Sequence, residues 1–440
     1  MFTQAQKDLA SQAMDLALRN GCQAARISLY NSSNTSFEVR NMQIDSLQQA
    51  SENGLNIHLF VDGRYGSIST NRLNINELER FIKNGIASTR FLAEDTARML
   101  PNESLYYKGG KPDLQLYDAK IQTLQPDEKV ALAMKACEEI MDKDPRVISS
   151  NSSYSDGRNF SYLIASNGFE GETVASFFSV NAEASIKGDG DARPSSWWYE
   201  SSLYFDELIK EGVGKRALER ALRKLGQKKT ASSKMQMVVE FACSSQLLSP
   251  VINAINGAAI QQKNSFLLDK KGHKVFSDRM ILTDEPHLPK SSGARYFDNE
   301  GVATQHIKVF DNGVLNTYFI DTYYANKLQT AQTISSPSIL TMPSSNGKNC
   351  DDLVASTDKG ILVTGFNGGN CNATTGDFSY GIEGFLIENG KITQPINEMN
   401  ITGNMLTLWS NLLETGNDAR QSANWRIPSL LFDNVDFSGS

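Results

Sequence analysis

Residues 376–403, Gly-Asp-Phe-Ser-Tyr-Gly-Ile-Glu-Gly-Phe-Leu-Ile-Glu-Asn-Gly-Lys-Ile-Thr-Gln-Pro-Ile-Asn-Glu-Met-Asn-Ile-Thr-Gly, carry the most informative pattern in this chain. Two short strands are predicted on either side of Asn389-Gly390, because tight hairpin turns need positive φ and Asn-Gly supplies it at least cost. A Gly-rich stretch, Gly365–Gly369, leads in and reads as a loop. Working outward, further turn signals stand at Asp311-Asn312-Gly313, Ser345-Asn346-Gly347 and Phe366-Asn367-Gly368. Short strands between such turns predict a mostly antiparallel region beyond Lys263, sandwich-like or barrel-like. It opens with an apolar strand, Met235–Phe241, and a helix over Ser244–Gln261.

Upstream the pattern changes. A helix is predicted over Phe2–Asn20, stopped by Asn20-Gly21. Strand-like runs follow at Ala25–Tyr30, Thr35–Val39, Leu55–Val61 and Tyr65–Thr70, the last two joined by Asp62-Gly63, and then a helix over Asn76–Thr89. The order recurs: a helix over Pro126–Asp142, strands at Val147–Tyr154, Phe160–Ala165, Thr173–Ile186 and Ser195–Phe205, and a helix over Asp206–Leu225. Turns are predicted at Asp156-Gly157 and Asn167-Gly168. Duplication and coincidence both fit, since no residue identity accompanies the shared order. The fold class is α+β, in three parts: 1–110, 111–228 and 229–440.

With 21% charged and 40% hydrophobic residues, the chain has the composition of a globular protein and not of a disordered one. No apolar run approaches the roughly 20 residues that cross a bilayer. The start of the chain has neither the basic nor the apolar segment of a secretory signal. A cytoplasmic protein without membrane contact is expected. The net charge of −7 argues against direct nucleic-acid binding. The most basic stretch, Val213–Lys229, spaces its apolar residues as a helix does and carries no interleaved aromatics, so it reads as a solvated amphipathic face.

The chemistry-bearing residues are sparse. The five cysteines are scattered, which suits free thiols and neither a disulfide framework nor a zinc ribbon. The four histidines, His58, His273, His287 and His306, include no two that share a helical turn, as a zincin-type site requires. Cys371, Asp377 and Ser379 cluster in sequence, and Asp298 lies two residues from Glu300. Each set is a weak catalytic candidate. The competing readings are a small residue in a tight loop for Cys371, and turn caps for the carboxylates.

Several blocks closely resemble the TldD/PmbA family, long catalogued as candidate modulators of DNA gyrase. They are the 376–403 signature, Arg295-Tyr296-Phe297-Asp298-Asn299-Glu300-Gly301-Val302, Asp311–Leu315, Thr415-Gly416-Asn417-Asp418 and Pro428-Ser429. Gly376-Asp377-Phe378-Ser379 is similar to the PmbA/TldE branch. In the TldD branch a strand like Met235–Phe241 leads into a helix bearing His-Glu-x-x-x-His, with a Cys ligand nearer the C-terminus. Here that segment reads Val239-Glu240-Phe241-Ala242-Cys243-Ser244-Ser245-Gln246, and no Cys follows Cys371, so none of the three ligands carries over.

The resemblance therefore implies a metal-free subunit with no cofactor of its own, paired with a zinc-bearing TldD-type homologue or with a second copy of itself. The pair would act on extended peptides in the cytosol. In that family the link to gyrase runs through maturation of a modified microcin and removal of an antitoxin. Two other expectations stand beside it: an independent hydrolase using the candidates above, and a non-enzymatic regulator bound to gyrase.

Overall fold

The computed structural model describes residues 2–439. The first unit runs α1 (Gln4–Arg19), β1 (Ala24–Arg40), β2 (Gln43–Val61), β3 (Arg64–Thr70) and α2 (Ile75–Thr89). The second repeats it as α3 (Pro126–Glu138), β4 (Val147–Ala165), β5 (Phe169–Ile186), β6 (Ser195–Ser202) and α4 (Val213–Arg223). Thr3 caps α1 through a reciprocal pair with Gln6, and Gly21 ends it at φ 105°.

The two units share one six-stranded antiparallel sheet, ordered β3-β2-β1-β4-β5-β6. Its topology is symmetric about the β1/β4 pair, in register from Arg26 opposite Ala165 to Arg40 opposite Asn151. Alternation along β1 sorts the two faces. Ala25, Ile27 and Leu29 pack under α1 and α2, while Phe37 and Val39, on the same face, pack under α3 and α4. Arg26, Ser28, Tyr30 and Ser32 point the other way, toward the remainder of the chain.

The third region holds β7 (Ser233–Val239), α5 (Phe241–Ala254), α6 (Gly257–Gln261), β8 (Leu282–Asp284), β9 (Ile307–Asp311), β10 (Val314–Leu315) and α7 (Thr322–Leu328). It continues with β11 (Leu340–Thr341), α8 (Cys350–Ala355), β12 (Lys359–Cys371), β13 (Asp377–Glu388), β14 (Lys391–Asn404) and α9 (Met405–Ser410). It ends with β15 (Leu412–Thr415), β16 (Trp425–Arg426) and β17 (Leu430–Ser438). One sheet runs β14-β13-β12-β7-β17-β15, and an extra β14–β17 pairing joins its flanks so that it closes on itself. A smaller sheet, β10-β9-β8-β11-β16, packs beside it around α5. Most pairings are antiparallel; β7–β12 and β11–β16 are parallel. The α+β class and the barrel-like third region hold.

Several local expectations do not. Each N-terminal unit has three strands where four are predicted: Ala25–Tyr30 and Thr35–Val39 are parts of β1, and Val147–Tyr154 and Phe160–Ala165 are parts of β4. Asp156-Gly157 is not a turn. It lies inside β4, where a Cβ at Gly157 would collide with Asn34 and the Phe177 ring, so glycine serves close approach there. Gly365–Gly369 is likewise strand, broken by two bulges in the β12/β13 pairing. The predicted helix 244–261 is two helices, with Asn256 capping the second. The helix predicted over 206–225 starts only at Val213, after the left-handed Gly212 (φ 82°). The Asn389-Gly390 turn stands as expected, at φ 51° and 71°, between strands longer than the short ones predicted.

Candidate functional site

The polar face of the N-terminal sheet and the C-terminal region bound a cleft. It comprises a cavity of about 1020 Å³ and an adjoining one of about 610 Å³, which share Phe177, Leu203, Ser291 and Ser292. One wall is sheet: Arg26, Ser28, Tyr30, His58, Asn159 and Ser161 line it. The other is the loop 291–299, held by Arg426 donating to Ser291 Oγ at 2.8 Å and by Asp298. Asp298 accepts from the amides of Glu300, Val302 and Ser335 at 2.9–3.1 Å. Burial raises its carboxyl above the usual range, and those amides work against the rise.

Glu300 ties the two halves together. Its Oε1 receives Arg26 Nη1 at 3.1 Å, and its Oε2 receives the Thr322 amide and hydroxyl at 3.0 and 2.7 Å. Asp298 and Glu300 thus meet at the cleft wall, one as loop cap and one as clamp. His58 shares a 2.7 Å hydrogen bond with the Tyr65 hydroxyl. Burial, followed by the charges of Arg26 and Arg98, lowers it to about 4, so it is neutral at physiological pH.

Cys371, Asp377 and Ser379 do not assemble. Cys371 pairs with Phe378 and Ser379 with Asn370, so alternation puts the thiol on the opposite face from Asp377 and Ser379. Burial raises the Cys371 thiol, the wrong direction for a nucleophile. Asp377 is exposed and spends its oxygens on Asn404 Nδ2 (2.9 Å) and Thr375 Oγ1 (2.7 Å). Ser379 is exposed, outside the cleft. All five cysteines are free.

Sequence reasoning missed the residues that join the parts. Most of the basic segment is the solvated face expected, with Lys215, Arg216, Arg223, Lys228 and Lys229 exposed. But Arg220 makes two 2.7 Å bonds to Glu240, and Lys224 two of 2.9 Å to Glu383, with both cations nearly enclosed. Arg220 and Arg420 also approach the Trp198 ring, at 5.2 and 4.6 Å. Trp198 is buried while Trp197 is exposed, so the Trp-Trp-Tyr run divides between core and surface.

The start of α5 is braced from afar. Ser429 Oγ accepts the Phe241 amide at 3.0 Å and donates to Asp418 at 2.8 Å. Cys243 is buried, its Sγ donating to the carbonyls of Glu240 and Val363. A cavity of about 270 Å³ borders this helix start and is lined by Arg220, Lys224, Cys243, Gln246 and Glu383. Among the described residues, no three His, Cys, Asp or Glu side chains are grouped so as to hold a metal ion. No helix among them is long and apolar enough to cross a membrane.

The fold and cleft define a class: a three-part α+β protein in which a twofold-like helix-and-sheet module is clamped to a barrel-like module over a polar chamber. The chain belongs to the PmbA/TldD family. Its residues 25–89 match PmbA/TldA metallopeptidase domain 1, 119–225 the central domain, and 232–439 the C-terminal domain. It is 27% identical to a Haemophilus influenzae metalloprotease PmbA homologue, over 99% of this chain and 96% of that one. Against the Escherichia coli O157:H7 metalloprotease PmbA it is 24% identical, over 99% and 97%. A Bacteroides thetaiotaomicron crystal structure, described as a candidate modulator of DNA gyrase, is 64% identical with a TM-score of 0.98 and full coverage of both chains. TldE from Thermococcus kodakarensis shares the fold, with a TM-score of 0.86 at 19% identity and coverage of 98% and 100%.

Proposed function

We propose that this chain is the metal-free, PmbA/TldE-type subunit of a peptidase complex, pairing in the cytoplasm with a zinc-bearing TldD-type relative to enclose extended peptides. The observation that carries the reading is the start of α5. Where the zinc branch presents His-Glu-x-x-x-His, Glu240 is consumed by Arg220 and Cys243 is buried against two carbonyls. Burial raises that thiol well above its ordinary value. The cleft supplies the other half of the argument, since a long polar groove lined by Ser and Asn suits main-chain recognition of peptides of varied sequence.

One long strand edge open to an added peptide is the Gln43–Asn53 half of β2, which pairs with β1 alone because β3 reaches no further than Leu55.

Co-expression with a His-Glu-x-x-x-His homologue tests the proposal. The two chains are expected to co-purify, and cleavage of an unstructured peptide is expected to need both and to stop with a chelator. Chelator-sensitive cleavage by this chain alone would overturn the reading, as would a fully active partner that does not associate with it. A pull-down with gyrase subunits checks the role in the name of the Bacteroides relative; the proposal expects no retention.

A further inference from the structure

We propose that the cleft recognises a carboxylate on the extended peptide, with Arg295 as the anchoring residue and Arg26 reinforcing the positive wall. The inference rests on the peptide-chamber reading and names the chemistry that one wall of it selects.

Both guanidiniums line the same cavity. Arg295 donates from Nε to Ser338 Oγ at 2.9 Å and from Nη2 to the Ser336 carbonyl at 2.7 Å, which are neutral acceptors. Its Nη1 has no protein acceptor among the described residues, and no carboxylate lies within ion-pair distance of it. Burial lowers its pKa, and the charges of Asp298 and Asp284, neither in contact with it, act against that fall. Arg26 is 9% exposed; its Nη1 donates to Glu300 Oε1, and its buried Nε has no acceptor.

The lining carboxylate, Asp298, accepts two backbone amides at Oδ1 and one at Oδ2, and it makes no hydrogen bond or ion pair with either guanidinium. Around them stand neutral groups such as Ser28, Asn31, Asn56, Asn159 and Ser161. A cavity lined by Arg295, with Nη1 open and no carboxylate in contact with its guanidinium, attracts an anion, and a planar fork favours a carboxylate. At about 1020 Å³ it also admits a stretch of chain around that group. The carboxylate could be the peptide's C-terminus or an acidic side chain, which have the same chemistry.

Fluorescence anisotropy of the full-length protein with three short Gly/Ser/Ala peptides provides the test. One has a free C-terminus, one is amidated, and one is amidated with a central Asp. At least one carboxylate-bearing peptide is expected to bind about tenfold more tightly than the neutral one, and which one does so identifies the source. Arg295→Gln is expected to abolish that difference, and Arg295→Lys to retain part of it. Equal binding of all three peptides would overturn the anion inference and leave the chamber reading standing. An equal loss for all three in Arg295→Gln would do the same. No binding by this chain, nor by its complex with a zinc-bearing relative, would remove both readings. If Arg295→Gln fails to fold, the comparison of free and amidated peptides on the unaltered protein decides alone.

Discussion

Asp284 shows at the scale of one residue how burial and pH couple. It is fully buried; one oxygen accepts the Ser338 and Ile339 amides at 2.9 Å and the other has no partner. Burial pushes its carboxyl up to about 6 from an ordinary value of 3.8. The folded state then holds the proton more tightly than the unfolded chain, so Asp284 costs stability increasingly as pH rises from about 4 to about 6. Asp284→Asn is expected to be more stable than the parent at pH 8, by roughly 2–3 kcal/mol, with the gap closing toward pH 4. His58 has the opposite slope, because its lowered pKa makes stability fall as pH drops from 6.5 toward 4. Only variant-minus-parent melting curves across pH therefore isolate Asp284. At Glu300, Gln substitution leaves Arg26 enclosed without its counter-charge, at an expected cost of about 3 kcal/mol, read as a lowered melting temperature. Asp298 and Glu300 were visible in the sequence as a pair of acidic residues. Arg26 and Arg295 were not, since nothing local marks an arginine whose partners lie 274 positions away for Arg26 and 41 or more for Arg295.

At the scale of elements, turns and helix ends were the most legible features. Gly21 and both residues of Asp62-Gly63, Asn312-Gly313 and Asn389-Gly390 occupy the positive-φ region that their residue types favour. Glycine misled where its task is steric and not conformational. Gly157 and the 365–369 run read as turns because a local pattern cannot distinguish a bend from a crowded strand. Two neighbours in β12 separate these effects. Gly368 has φ 76° and nothing within reach of an added Cβ, whereas Gly369 has φ 104° and its Cβ would strike the Ser379 carbonyl. Gly368→Ala is expected to cost about 1 kcal/mol, and Gly369→Ala roughly 3 kcal/mol or more, by denaturant unfolding. Equal costs would refute the steric reading. The Gln43–Asn53 half of β2 escaped notice for another reason: it is polar and mostly exposed, so no apolar alternation announces it.

For the whole molecule, the seam between the halves matters most. Arg220–Glu240, Lys224–Glu383 and Arg26–Glu300 all span it, and so does an aromatic cluster that includes Tyr106, Phe169 and Phe297. Since Arg220 and Lys224 are spent on this seam and the net charge is −7, no sequence-independent hold on DNA is expected. Gel-shift titration with duplex DNA at low salt should show no retarded species at micromolar protein; a salt-sensitive complex would refute this.

By itself the sequence determined the α+β class, the mostly antiparallel third region, the repeated order of the N-terminal units and the lack of zinc-ligand spacing. Each is written in local periodicity, turn chemistry or residue identity. Only the tertiary structure decided that the two N-terminal units form one sheet, that Arg220 and Lys224 of the basic segment join an interior seam, and that Arg26 and Arg295 line one cavity. Those facts depend on contacts between residues far apart in the chain (274 positions for Arg26 and Glu300), and local patterns do not encode such partners. The 376–403 hairpin belongs to both accounts: its turn was legible in two residues, and its place as a flank of a sheet that closes through β17 was set by packing.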